Sequence, residues 1–188
     1  MKRKYPGLLA AVLMFWGAAG WADSYTDTAA LFRNAGQSAS FFHNSYGYAV
    51  FPTVGKGGFV VGAAHGSGHV YRHGAYVGDT TVNQLSVGFQ AGGQAYSQIV
   101  FFEDKAAFDA FTRGDFEFGA DVNAVAITAA AGASAGTAGA SAGASGGEKD
   151  ARTAGRYYKG FAIFTIVKGG AMYQAAVAGQ KFSYTPKA

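Results

Sequence analysis

The chain has 188 residues, with 15 Lys and Arg against 11 Asp and Glu, and no cysteine. The length favours one domain. The missing thiols exclude disulfides, thiolate metal sites, a cysteine nucleophile and lipid attachment through an N-terminal Cys.

From the N-terminus, Lys2, Arg3 and Lys4 precede an apolar run, Leu8 to Trp16, and then Gly20-Trp21-Ala22 before Asp23. This is the layout of a cleavable signal peptide over residues 1–22, with an apolar core too short to span a bilayer comfortably. The expected location of the remainder, 23–188, is the periplasm or the exterior of the cell. Three of the basic residues would leave with the signal, so the mature chain would be close to neutral. That gives no support for general nucleic-acid binding, which needs a basic face. No later stretch has the uninterrupted apolar length of a membrane helix.

Ser24 to Phe42 reads as helix, with Ala29, Ala30, Leu31 and Phe32 apolar; Asn34 and Gly36 divide it into two short ones. The next stretch, YAVFPTVGKGGFVVGAAHGSGHVY from Tyr48 to Tyr71, reads as strand, turn and strand. Tyr48 to Phe51 is ended, or set at an edge, by Pro52, which has no amide proton for a sheet. Gly55-Lys56-Gly57-Gly58 is the expected turn, and Phe59, Val60 and Val61 start the second strand. Leu85, Val87, Phe89 and Ala91 alternate with Gln84, Ser86, Gly88 and Gln90, which predicts a strand with the apolar set buried. After Gly92-Gly93 the apolar run resumes through Ile99 to Phe102.

Asp104 is the expected N-cap of a helix over Lys105 to Thr112, ended by Gly114. Phe116, Phe118, Ala120 and Val122 form a further alternating strand. Thr128 to Gly147 uses only Ala, Gly, Ser and Thr; with the polar residues that follow it is expected to be a mobile loop over 128–156. The remaining chain predicts a hairpin, Phe161 to Val167 and Met172 to Val177, turning at Gly169-Gly170. The fold class is therefore α+β: a strongly curved, mainly antiparallel or barrel-like sheet of six to eight strands, with two or three short helices. One domain, 23–188, holds all of it.

Enzyme motifs fail one by one. Gly55-Lys56 resembles the end of a phosphate-binding loop, but Val50 stands where that loop needs Gly, and Gly57 where it needs Ser or Thr. No Gly-x-Gly-x-x-Gly and no His-Glu-x-x-His occurs. Glu117 and Asp121 share an expected strand face and read as solvated carboxylates. His65, His69 and His73 recur at every fourth position; they are weak metal candidates, because a regular strand spreads them apart and no carboxylate stands beside them. No catalysis, cofactor or metal is expected.

Four blocks in order resemble the SYLF (Ysc84-type) lipid-binding domain family, as a bacterial exported member. They are AVFPTVGKGGFVVGAAHGSGHVY, QLSVGFQAGGQAYSQIVFF, FEFGADVNAVA and YYKGFAIFTIVKGGAMYQ. The resemblance runs from about Ala29 to Tyr184. It departs in GAYVGDTTVNQL, which lacks the Trp and Pro often found there, and where the third block runs into the Ala/Gly/Ser tract. It implies a phospholipid-binding α+β domain. The expected function is thus a non-catalytic phospholipid-binding module of the bacterial cell envelope; the alternative is an envelope structural or adhesion-type protein. Its partner would be phospholipid or a membrane surface, not nucleic acid, with any protein partner unknown. The candidate lipid site is the turn, where the backbone amides of Gly55, Gly57 and Gly58 and the Lys56 ammonium suit a phosphate. Phe51 and Phe59 flank it, as acyl-chain contacts or as core, and Arg72 and Lys159 are expected on the same rim.

Overall fold

The computed structural model describes residues 19–58, 61–87, 93–127, 156–169 and 177–188. Three helices and eight strands occur among them: α1 (Ala19–Asn34), α2 (Phe41–Asn44), β1 (Gly47–Gly58), β2 (Val61–Arg72), β3 (Ala75–Val87), β4 (Gln94–Phe102), α3 (Lys105–Phe111), β5 (Phe116–Glu117), β6 (Val125–Ile127), β7 (Phe161–Gly169) and β8 (Lys181–Pro186). The strands form one sheet in the order β5-β8-β3-β2-β1-β4-β7-β6, curled into a half-barrel. Every pairing is antiparallel except β6 with β7. The α+β class and the curved sheet are as expected.

Both faces of the central strands are buried. On the concave side Phe51, Val100, Phe102, Ile163 and Phe182 pack with Phe108 and Phe111 of α3. On the convex side Tyr48, Val50, Ile99, Phe101 and Phe164 pack with Phe32 of α1 and Phe41 of α2. Within α1, Tyr25, Thr28, Ala29 and Phe32 are buried at helical spacing while Leu31 is exposed, one apolar stripe rather than an apolar cylinder. The α3 cap is the expected one: the Asp104 carboxylate accepts from the Ala107 amide at 2.9 Å, satisfying an amide that the helix cannot.

Four sequence expectations need correction. First, β1 does not stop at Pro52. It is an inner strand between β2 and β4, and its register shifts between Val50 and Val54. A bulge is where an inner strand tolerates a residue without an amide proton. Glycines opposite make room for it: a Cβ on Gly68 would lie 2.6 Å from the Phe51 ring, and one on Gly66 2.8 Å from the Thr53 carbonyl.

Second, Gly55 to Gly58 is not a turn. These residues complete β1, with Lys56 paired to Ala64, and the connection to β2 falls at 59–60.

Third, the β3 face is inverted. Gln84 is buried and Leu85 is 80% exposed. Alternation reveals the period of a strand but not its phase, and Gln84 finds an interior acceptor, donating to the Ala178 carbonyl at 2.8 Å.

Fourth, the chain from Phe116 to Val122 is a strand only at Phe116–Glu117; Ala120 and Asp121 lie in a turn. In the C-terminal region, β7 pairs with β4 and β6, while the last strand, β8, pairs with β3 and β5. The expected strand at 172–177 lies mostly outside the described residues, as do the tract 128–155 and most of the expected signal, 1–18.

The outer strands are short, two residues in β5 and three in β6, which blunts edges that would otherwise pair with other chains. Residues 118–124 connect them. Phe118 and Val122 of this connection join the concave core, and Phe118 exchanges backbone hydrogen bonds with Gly179 and Gln180.

Candidate functional site

The antiparallel registers set the two ends of the sheet apart. Gly58, Val61, Val87, Gln94, Gly169 and Lys181 all lie toward one end. The connections 59–60, 88–92 and 170–176 therefore leave from that end, and they read Phe-Val, Gly-Phe-Gln-Ala-Gly and Gly-Ala-Met-Tyr-Gln-Ala-Ala. These connections and the strand ends that they join, 54–58, 61–66, 82–87, 93–98, 165–169 and 177–182, contain no acid and carry Lys56, Lys168 and Lys181. Glu117 of β5, however, pairs with Lys181 at this end, and the chain that follows β6 from the same end, 128–155, contains Glu148 and Asp150. The opposite end mixes both signs, with Arg72, Lys105 and Lys159 among Asp79, Asp104, Asp109 and Asp115.

Lys56 lies toward the first of these ends but on the concave face, between exposed Gly55 and Gly57, and is itself buried. Burial pushes its pKa below the usual lysine value, because an ammonium loses its hydration there. Next to it on this face is a layer of polar side chains. The amides of Gln98 and Gln180, both fully buried, donate to one another at 2.8 and 3.0 Å. Gln180 also donates to the Tyr96 hydroxyl at 3.1 Å, and burial drives that phenol to about 12. Thr165, beside Gln98 in the register, has a buried hydroxyl with no partner among the described residues.

On the convex side of the same end, a cleft of about 580 Å³ opens between α1 and the outer faces of β1, β2 and β7. Asp27, Leu31, Thr53, Gly55, His65 and Lys168 are among its lining. Lys168 donates to the Thr53 hydroxyl at 3.1 Å and remains exposed.

The expected site is thereby dispersed. Gly55 and Gly57 are exposed strand residues, Gly58 closes β1, and Phe59 lies outside the described residues. Phe51 is fully buried against Phe182, so it is core. Arg72 pairs in register with Gly47, at the far end of β1 from Lys56, roughly 30 Å away at strand rise. Its guanidinium sits 5.9 Å from the Phe108 ring centroid. Lys159 occupies a left-handed turn, φ 51°, before β7 and binds the Asp121 carboxylate at 2.7 Å. Lys56, Arg72 and Lys159 do not share a rim.

The histidines are also apart. His65 bonds Asn83 at 2.8 Å. His69 stacks on Tyr25 of α1 with ring centroids 3.5 Å apart, and its Nε2 lies 3.3 Å from Asp79. Burial lowers the His69 pKa and Asp79 works against that shift. His73 sits in the β2–β3 turn, edge-on to Tyr46. Among the described residues no group of three or more His, Asp or Glu side chains comes together to hold a metal. Nor do Glu117 and Asp121 form a pair: Glu117 lies 3.5 Å from Lys181, and Asp121 binds Lys159 and Tyr158.

Two features escaped the sequence reading. The amide layer draws Gln98 and Gln180 together across 82 positions of sequence, a separation no local pattern reveals. The Ala/Gly/Ser tract also spells Gly-Ala-Ser-Ala-Gly at 132–136 and 139–143, the spacing of a hydrolase nucleophile; both strings lie outside the described residues. No described helix is long and apolar enough to cross a membrane.

Comparison with known proteins gives two matches. A curated protein called beta cell expansion factor A, from Aeromonas veronii, is 29% identical over 166 residues, covering 85% of this chain. The chain spans about half of that relative, 54% of its length. The Ysc84 family model, described as a Las17-binding protein actin regulator, matches residues 83–185. That span is more than half of the chain and runs from within β3 into β8; the chain belongs to the Ysc84 (SYLF) family.

Proposed function

We propose that this protein is a non-catalytic phospholipid-binding module of the bacterial cell envelope, which meets anionic headgroups with the end of its sheet that carries Lys56, Lys168 and Lys181. The family supports lipid or protein binding as the general role. The observation that carries the finer reading is the charge asymmetry: among the described strand residues this end combines Lys56, Lys168 and Lys181 with one acid, Glu117 beside Lys181, and the sequences of its connections include Phe59, Phe89, Met172 and Tyr173. Leu85 projects there, 80% exposed. Cations beside an exposed leucine suit a leaflet that carries negative headgroups over an acyl layer. The signal-like N-terminus supports export, and hence an envelope lipid as the ligand.

The test is flotation of the purified protein with vesicles of phosphatidylcholine alone or with added phosphatidylglycerol. Preference for the anionic vesicles, falling with salt, is the expected result. Leu85→Asp puts a negative charge on this end at an exposed position and should abolish the preference without unfolding the chain. Equal flotation by folded L85D and wild type would remove this end from the interface. No flotation by wild type on either vesicle would leave the adhesion-type reading in its place.

A further inference from the structure

We propose that the mouth of the concave interior is a receptor site for a single oxyanion, the carboxylate or phosphate of an amphiphile, held by the Lys56 ammonium and the Tyr96 hydroxyl. The inference deepens the membrane reading by moving Lys56 from a surface contact to the inside of the mouth, and it rests on that reading only for the source of the ligand.

The argument begins with an imbalance. The buried polar side chains among the described residues are Thr28, Ser38, Lys56, Thr80, Gln84, Ser97, Gln98, Thr165 and Gln180. That set contains one cation and no acid. Lys56 is only 7% exposed, yet it has no hydrogen-bond or ion-pair partner among the described residues. The connections 59–60, 88–92 and 170–176 contain no carboxylate either, and the Glu117 carboxylate of this end lies against Lys181 instead. A buried ammonium without a partner is costly and is ordinarily paired or discharged.

Donors around it are also in excess. Val54 pairs with Tyr96, so Lys56, two residues further along β1, is a diagonal neighbour of Tyr96 on the same face, at about 7–8 Å between backbones. The Tyr96 oxygen accepts from Gln180, while its own proton has no acceptor among the described residues. In the amide pair Gln98 donates one hydrogen to Gln180, although its nitrogen carries two. The Thr165 hydroxyl stands unpartnered beside it. An ammonium and a phenol that both lack an acceptor are what a carboxylate or phosphate completes, through charge-assisted hydrogen bonds. Below the layer, Phe51, Val100, Phe102 and Ile163 fill the interior. The oxyanion therefore stops at the polar layer, with any alkyl chain directed out through the mouth.

The experiment uses the full chain as it is exported and two soluble probes, inorganic phosphate and decanoate below its micellar concentration. Titration calorimetry and thermal melts are run on wild type, Lys56→Met and Tyr96→Phe. Binding by wild type that is at least about tenfold weaker in either folded variant is expected, a difference of about 1.4 kcal/mol. Decanoate binding alone identifies an amphiphile's acid as the ligand; binding of both probes shows that the oxyanion suffices. Without probe, K56M should melt at or above the wild-type temperature, because the substitution removes an unpaired buried charge while keeping the stem's volume. The proposal is overturned if neither probe binds wild type, or if the folded variants bind like wild type. Because no membrane is present, a protein that binds decanoate but not vesicles sinks the membrane reading and leaves this one standing.

Discussion

Replacing Gln98 by Leu tests whether the interior amide layer is a coupled unit. Gln98 and Gln180 are both fully buried, so neither can turn to water when its partner is removed. Gln98→Leu deletes the reciprocal bonds of 2.8 and 3.0 Å and leaves the Gln180 carbonyl oxygen without a donor. One orphaned buried polar group costs about 1–3 kcal/mol. In a chain of this length that corresponds to a fall in melting temperature of roughly 2–12 °C. Gln180→Leu should sit at the upper end, since it orphans the Gln98 amide and also withdraws the donor from Tyr96. The double variant leaves no unpaired amide, and leucine is close to glutamine in volume, so it should be more stable than the sum of the two losses by about 1–3 kcal/mol. Urea unfolding with unchanged slope gives all four free energies. Single losses that add in the double variant to within about 0.5 kcal/mol would refute the coupling.

Two further outcomes are expected. Asp121, bonded first by Lys159 and then by Tyr158, has its carboxyl pKa lowered from 3.8 to about 2. Its contribution to stability is complete above the unfolded value and fades as pH falls from there through the folded one. Carboxyl NMR should show that depressed midpoint, and Lys159→Met should return it most of the way; an ordinary midpoint in wild type counts against the pairing. Export should remove residues 1–22, leaving Asp23 first and shortening α1 by its first four residues. Intact mass of the exported protein reads this directly, and a mass that retains Met1 to Ala22 would be the contrary result.

What could be read in advance follows the range of the interactions. The Asp104 cap, the division of the first helical region and the pairing of β1 with β2 depend on residues close in sequence, and each was legible. Errors arose where distant residues decide. Gln84 faces inward because Ala178, 94 positions away, offers its carbonyl, and Leu85 must then face out. The last strand, β8, was not read from the sequence, and it pairs with β3 over a separation of about a hundred residues, such as that between Thr80 and Ser183. Pro52 signalled a break in regular pairing, and the break is a bulge rather than an end, because the glycines of β2 leave the displaced Phe51 ring room. Among the candidate site residues, Lys56 stood out as a lone charge between glycines. The side of the sheet that it faces followed from where β1 ends, two residues beyond it, and no pattern in that stretch marked the end.

The connection between the two edge strands acts as a caliper on the sheet. β5 and β6 are separated by seven inter-strand spacings, about 34 Å if the sheet lay flat. The eight peptide steps from Glu117 to Val125 reach at most about 28 Å when fully extended. The chain is too short to join the edges of a flat sheet, so the curl is imposed by tether length as well as by strand twist. It also orders assembly: β5 and β6 cannot both dock until the six strands between them have bent, and β7 and β8, which receive them, come from the far end of the chain. Contacts of that kind are slow to form. Inserting residues into 118–124 would let the edges part and open the trough between them.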